Sequence, residues 1–235
     1  MLGGRRRAIF ILSVLLAAVA FLAVRVPELV PPSLQPARPP EVAERPMNPQ
    51  VTPTDRGLIE VAARDPSILI RLRYATTGNF TGKVWYLSNK AYLTPGTLAK
   101  LSLAQANLMA QGLTLVIWDA YRPCSVQASL RAAAPFPALF ASAATGSRHS
   151  RGAAVDVTLA KVHDGTELEM PTDFDDFTEQ AARRHPGHST TARANLLILE
   201  RAMRQAGFVG NPAEWWHWSD PQWAAYPLLD VPIPP

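Results

Sequence analysis

Two short segments, one ending at Asp156 and the other beginning at Glu214, hold the side chains of this sequence best suited to chemistry. They read Ser147-Arg148-His149-Ser150-Arg151-Gly152-Ala153-Ala154-Val155-Asp156 and Glu214-Trp215-Trp216-His217. Together they supply two imidazoles, a short carboxylate and a longer one. Three protein ligands with a free acid/base beside them is the inventory of a catalytic zinc site, which keeps one coordination position open for water. A hydrolase is the leading expectation.

The spacing sets conditions on the fold. His149 and Asp156 lie seven positions apart, which is about 10 Å along a helix and about 23 Å along a strand. Both reach one ion only if the chain turns between them, and Gly152 sits where it can supply that turn. The stretch from Val155 to Leu159 then alternates as a strand, with Asp156 facing opposite Val155 and Val157. A carboxylate buried among β-branched neighbours is costly unless it meets a cation. Glu214 and His217 are three apart and share a face on a helical turn but not on a flat strand, so a bulge or turn is expected there.

Other candidates are weaker. His163, His185 and His188 compete for ligand roles, but His185-Pro186-Gly187-His188 follows two arginines in a polar, proline-interrupted stretch and reads as a solvated loop. Cys124, the single cysteine, excludes a disulfide framework and reads as a small half-buried residue. Arg122 precedes Pro123 and is therefore extended, at a sheet edge. From there its guanidinium can hold an oxyanion or a carboxylate in two-point contact.

The elements that must position these groups follow from periodicity. Residues 68–74 alternate apolar and basic and predict a strand. Residues 95–111 predict a helix, with Pro95 at its start, Leu98, Leu101, Ala104 and Leu108 on one face and Gly112 as its stop. Residues 113–118 predict a central strand that delivers residues 119–123 to the sheet surface. Helices over 125–134 and 195–206 and strands at 208–209 and 215–218 complete the pattern. Helices and strands do not alternate strictly, so the expected class is α+β, one domain with a central antiparallel sheet carrying the site and helices packed on it.

The net charge of +4 has a single address. Arg5, Arg6, Arg7 and Arg25 are the only charged residues among the first 25; without them, 19 basic and 19 acidic residues remain. A nucleic-acid-binding surface has no support in that balance. The same arginines flank an apolar run of 17 residues, 8–24, interrupted only by Ser13. It is either a secretory signal peptide or a short uncleaved membrane anchor. Positive-inside logic keeps the arginines in the cytoplasm and sends the rest outward, so the expected location is the periplasmic or extracytoplasmic face, tethered to the inner membrane by residues 8–24. Residues 27–53 carry nine prolines and predict a semi-rigid tether of roughly 80 Å. The expected organisation is thus 1–26 leader or anchor, 27–53 linker and 54–235 catalytic domain.

Ser147-x-His149-x-x-Gly152-x-Ala154-x-Asp156 with Glu214-x-Trp216-His217 resembles the zinc D-Ala-D-Ala metallopeptidases, a superfamily that includes murein endopeptidases and hedgehog signalling domains. The blocks Arg73-Tyr74-Ala75-Thr76-x-x-Asn79-Phe80-Thr81-Gly82 and Trp118-Asp119-Ala120-Tyr121-Arg122-Pro123 are similar to the D-alanyl-D-alanine dipeptidase branch. The resemblance implies that His149, Asp156 and His217 hold one Zn²⁺, that Glu214 is the general base, that Arg122 stabilises the transition state, and that Tyr74 and Ser147 lie near the substrate's amino end. It departs at Pro171 and Ala120, where the family usually has glycine. The implied substrate is a small D,D-dipeptide. A murein D,D-carboxypeptidase or endopeptidase using the same zinc centre is the main alternative. A non-catalytic zinc-binding module would need to keep neither Glu214 nor Arg122.

Overall fold

The computed structural model describes residues 51–141 and 145–235. The expected leader or anchor and nearly all of the proline-rich linker lie outside them. In chain order the elements are β1 (Ile59–Glu60), α1 (Val61–Arg64), β2 (Leu69–Ile70), β3 (Tyr92–Leu93), α2 (Pro95–Met109), β4 (Leu113–Asp119), α3 (Cys124–Ala133), β5 (Ala154–Lys161), α4 (Thr190–Gln205), β6 (Val209–Gly210) and β7 (His217–Ser219), with short 3₁₀ turns between them.

The main sheet has strand order β2-β4-β5-β7-β6. Its pairs are antiparallel except at one edge, where β2 runs parallel to β4. β1 and β3 form a separate antiparallel ribbon. Strand β4 is buried from Thr114 onward and β5 from Ala154 to Ala160, as expected of central strands covered on both faces. Helices α2 and α4 pack on each other and on β4 and β5. Mixed strands and helices around one sheet make the fold α+β, as the uneven alternation predicts.

Both long helices form where capping and periodicity agree. Thr94 caps α2 by accepting from the Thr97 amide, Pro95 follows at the first position, and Leu98, Leu101, Ala104 and Leu108 are buried. Helix α4 begins at Thr190, upstream of the expected 195, because Ser189 accepts from the Ala192 amide and starts the helix there. The strand expected over 68–74 is the main departure. Only Leu69 and Ile70 pair, and Arg73–Ala75 is a 3₁₀ turn. The Asn89 side chain explains the early stop: its Oδ1 accepts from the Leu72 amide at 2.8 Å and its Nδ2 donates to the Ile70 carbonyl at 2.7 Å. A side-chain amide has replaced the next rung of the ladder.

Two features aim the strands at one place. A register shift in the β4–β5 pair between Ile117 and Asp119 sets Asp119 opposite Asp156, while β5 and β7 set Asp156 opposite His217. The three residues form a row across the sheet. Behind it Trp118, Phe174, Trp215 and Trp216 pack edge to face at centroid distances of 5.4–5.8 Å. The chain after β7 is pinned to α2 by fully buried Asp220, which accepts from Lys100 Nζ at 2.6 Å and from the Thr97 hydroxyl at 3.1 Å.

Candidate active site

His149 opens a 3₁₀ turn, His149–Arg151, closed by Gly152 at φ 63°. The Gly152 amide donates to the His149 carbonyl at 2.9 Å. A Cβ at Gly152 would stand 2.6 Å from Leu58 Cδ2 and 3.3 Å from the Thr94 nitrogen, so both the backbone angle and the space require glycine. The chain enters β5 two residues later and Asp156 follows. The turn required by the sequence spacing is present.

His149 Nδ1 lies 2.7 Å from the Ala120 carbonyl. A carbonyl only accepts, so Nδ1 carries the proton and Nε2 presents its lone pair. That Nε2 lies 3.1 Å from His217 Nδ1 and 3.4 Å from Asp156 Oδ1, and the third side, His217 Nδ1 to Asp156 Oδ1, is 2.9 Å. Ligand bonds of 2.0–2.1 Å in a tetrahedron place neighbouring donors about 3.4 Å apart. A triangle of two imidazole nitrogens and a carboxylate oxygen with sides of 2.9–3.4 Å therefore fits a zinc ion with an outward shift of a few tenths of an ångström. His217 is oriented from behind, its Nε2 lying 3.0 Å from Ser219 Oγ, which also accepts from Arg148 Nη1 at 3.1 Å.

The carboxylate of that donor set is ionised. Burial alone would push Asp156 up, but the His149 and His217 imidazoles outweigh it and hold its carboxyl well below the usual range. Burial pushes His149 down, and Asp156 beside it outweighs that and raises it. Among the described residues this trio is the one group of His, Cys, Asp and Glu whose donor atoms converge as a metal site. His163 pairs with Asp164 at 3.1 Å on the surface, and His185 and His188 sit in a polar loop whose rings face each other. None of the three joins the trio. Cys124 is free and half-buried.

The trio lines a cavity of about 360 Å³ that also reaches Tyr74, Arg122, Ser147 and Glu214. Glu214 stands in the expected turn, with the His217 amide donating to its carbonyl at 3.3 Å and Asn211 Nδ2 donating to its Oε2 at 2.7 Å. Ser147 Oγ accepts from the His149 amide at 3.2 Å.

Arg122 differs from its expected sheet-edge setting. It is only 5% exposed, and its Nε and Nη2 both donate to Asp119 Oδ2, at 2.8 and 2.6 Å. Nη1 donates to Gln127 Oε1 at 2.8 Å, the guanidinium lies 4.9 Å from the Tyr74 ring, and Asp156 Oδ2 is 3.7 Å away. Burial disfavours its charge, but Asp119 and its other neighbours outweigh that and keep it ionised. Three of five N–H groups are engaged, leaving two for a ligand.

Sequence reasoning missed Asp175. Its Oδ2 accepts from the Tyr74 hydroxyl at 2.8 Å, it lines the cavity, and burial pushes its carboxyl up to about 8. Among the described residues it is the one non-glycine with positive φ, 56°, a conformation aspartate tolerates better than most. Nothing in the Asp173-Phe174-Asp175-Asp176 loop distinguishes one acid from the next by spacing.

Comparison with known proteins then decides the family. The family model described as D-ala-D-ala dipeptidase matches residues 54–233. This chain belongs to the D-Ala-D-Ala dipeptidase family. It is 40% identical over 172 residues to the D-alanyl-D-alanine dipeptidase of Escherichia coli K12, covering 73% of this chain and 89% of that protein. It is 32% identical over 182 residues to the enzyme of that name from Enterococcus faecalis, covering 69% and 86%. The Streptomyces coelicolor D-alanyl-D-alanine dipeptidase is 31% identical over 172 residues, covering 63% and 83%. The matched span contains every dipeptidase-family residue singled out above, from Tyr74 to His217.

Proposed function

We infer that this protein hydrolyses D-Ala-D-Ala to two D-alanines with zinc as cofactor. One observation carries the reading: two imidazoles and a carboxylate converge at zinc-ligand spacing inside a cavity that also holds an acid/base and a fixed cation. His149 Nε2, Asp156 and His217 Nδ1 would hold the ion. When bound, zinc polarises the peptide carbonyl and lowers the pKa of water towards about 7.

The remaining steps belong to the chain's own residues. Glu214, its Oε2 oriented by Asn211, takes a proton from the attacking water and later returns it to the leaving amine. Arg122, held by Asp119 and Gln127, directs its two free N–H groups at the developing oxyanion. Asp175 supplies the determinant for a free amino terminus. Burial disfavours its charge, and a substrate ammonium lying against it restores the ionised form. Tyr74 holds Asp175 through its hydroxyl, and Ser147 shapes the turn that presents His149.

Free D-alanine released from D-Ala-D-Ala by the zinc-loaded protein, with a Glu214→Ala control, tests this reading. Release that disappears in the control supports it. A folded, zinc-loaded protein that cleaves only muropeptides ending in D-Ala-D-Ala would replace it with the murein D,D-peptidase alternative.

We also propose that residues 54–235 work on the extracytoplasmic face, held to the membrane by residues 8–24. The three arginines leading into an apolar run broken only by Ser13 support this. Among the described residues no helix is long and apolar enough to cross a membrane. Recovery of the full chain in a carbonate-washed membrane fraction is expected; recovery in the soluble cytoplasmic fraction would overturn the proposal.

A further inference from the structure

The catalytic cavity has a neighbour. A second cavity of about 490 Å³ is walled by Asp176, Thr178, Glu179, Arg184, His185 and Ala213, among others. Its walls and those of the first have two residues in common, Phe177 and Glu214. Glu214 is committed to the chemistry. Phe177 is therefore the shared wall residue that the chemistry leaves uncommitted.

The Phe177 ring is a fixed wall. It meets Phe80 edge to face at 5.2 Å and Phe140 at 5.8 Å, and those two rings are 5.6 Å apart. The three rings come from three separate loops, and each such contact contributes about 0.5–1.5 kcal/mol beyond buried area. Position along the substrate follows from Asp175, two residues before Phe177 on the same loop. A dipeptide whose ammonium rests on Asp175 ends there. A residue added to that amino end, if it left the cavity towards the second one, would meet Phe177, which walls both. The space behind the ring combines apolar wall from Phe177, Ala182 and Ala213 with the charged groups Asp176, Glu179 and Arg184, so it offers a further peptide residue both side-chain and backbone contacts.

We propose that Phe177 sets substrate length, closing the catalytic cavity against peptides extended at the amino end. This rests on the dipeptidase reading above. The test compares kcat/KM for D-Ala-D-Ala and for the free tripeptide L-Ala-D-Ala-D-Ala in zinc-loaded wild type, Phe177→Leu and Phe177→Ala. The tripeptide-to-dipeptide ratio is expected to rise by about 10-fold or more in Phe177→Ala, the low end of what even one methylene of fit is worth in a pocket, with Phe177→Leu between it and wild type. Phe80→Ala, which loosens the ring from outside both cavities, should raise the ratio less, and it serves if Phe177→Ala does not fold. A folded, dipeptide-cleaving Phe177→Ala or Phe177→Leu with an unchanged ratio overturns the proposal. A wild type that cleaves no D-Ala-D-Ala overturns the functional reading instead, and the two failures are distinct.

Discussion

Replacing Asp119 by Ala would leave the Arg122 guanidinium buried without its main counter-ion. Asp119 is fully buried and accepts two of Arg122's hydrogen bonds, at 2.8 and 2.6 Å. Breaking a buried pair from one side costs about 3–5 kcal/mol. Two details place the value inside that range. Asp156 lies 3.7 Å from Arg122 and compensates part of the charge, which lowers it. Tyr86 loses the partner of its buried hydroxyl, now 2.9 Å from Asp119 Oδ1, which raises it by about 1 kcal/mol or more. A loss of about 4 kcal/mol corresponds to a Tm drop of roughly 8–16 °C for a domain of this size. Urea and thermal unfolding of the metal-free protein measure it. The double variant Asp119→Ala/Arg122→Met removes the stranded charge and should recover at least half of the loss, while D-alanine release stays abolished because Arg122 is gone. A double variant no more stable than the sum of the two single losses would refute this account of the ion pair.

Glu214→Gln keeps the three donors and should bind one zinc per chain while losing turnover by on the order of 10²–10⁴, the scale of a positioned acid/base; zinc content by metal analysis alongside D-alanine release checks both halves. Gly152→Ala forces alanine to φ 63° against Leu58 and should cost about 2 kcal/mol, a Tm fall of roughly 4–8 °C, with an unchanged Tm counting against the turn. Asp175 has an ordinary carboxylate value of 3.8 and a folded value of about 8, so between those limits the folded state holds a proton that the unfolded chain has released. Its contribution to stability is full below pH 4 and is lost as pH rises through 8. Metal-free Asp175→Asn should therefore gain Tm relative to wild type as pH goes from 5 to 9, and parallel curves would contradict this.

The parts of the site legible in the sequence are those tied to local geometry. His149, Gly152 and Asp156 were readable together because a turn was the one way to bring both donors to an ion, and Glu214 with His217 because three-residue spacing needed a bend. Helices α2 and α4 and strands β4 and β5 showed in their apolar periodicity. What escaped depends on partners distant in the chain. The alternation over 68–74 shows a strand but not its end: β2 stops after Ile70 because of the side chain of Asn89. Arg122 looked like an edge residue because the register shift that turns Asp119 and Asp156 towards it comes from pairing between strands. Asp175 became visible only once Tyr74, 101 positions earlier, was seen to hold it.

The row formed by Asp119, Asp156 and His217 has a consequence for biosynthesis. A chain made from its amino end exposes His149 and Asp156 while β7 is still unmade, and those two donors form only part of the triangle. His217 enters the row when β7 pairs with β5, the step that also brings Asp220 to Lys100. With the proposed ligand set, capture of the ion would coincide with closure of the sheet, after synthesis has passed β7. A ligand that binds the finished fold alone stabilises it by mass action, so scarcity of zinc would shorten the life of the folded protein as well as silence it.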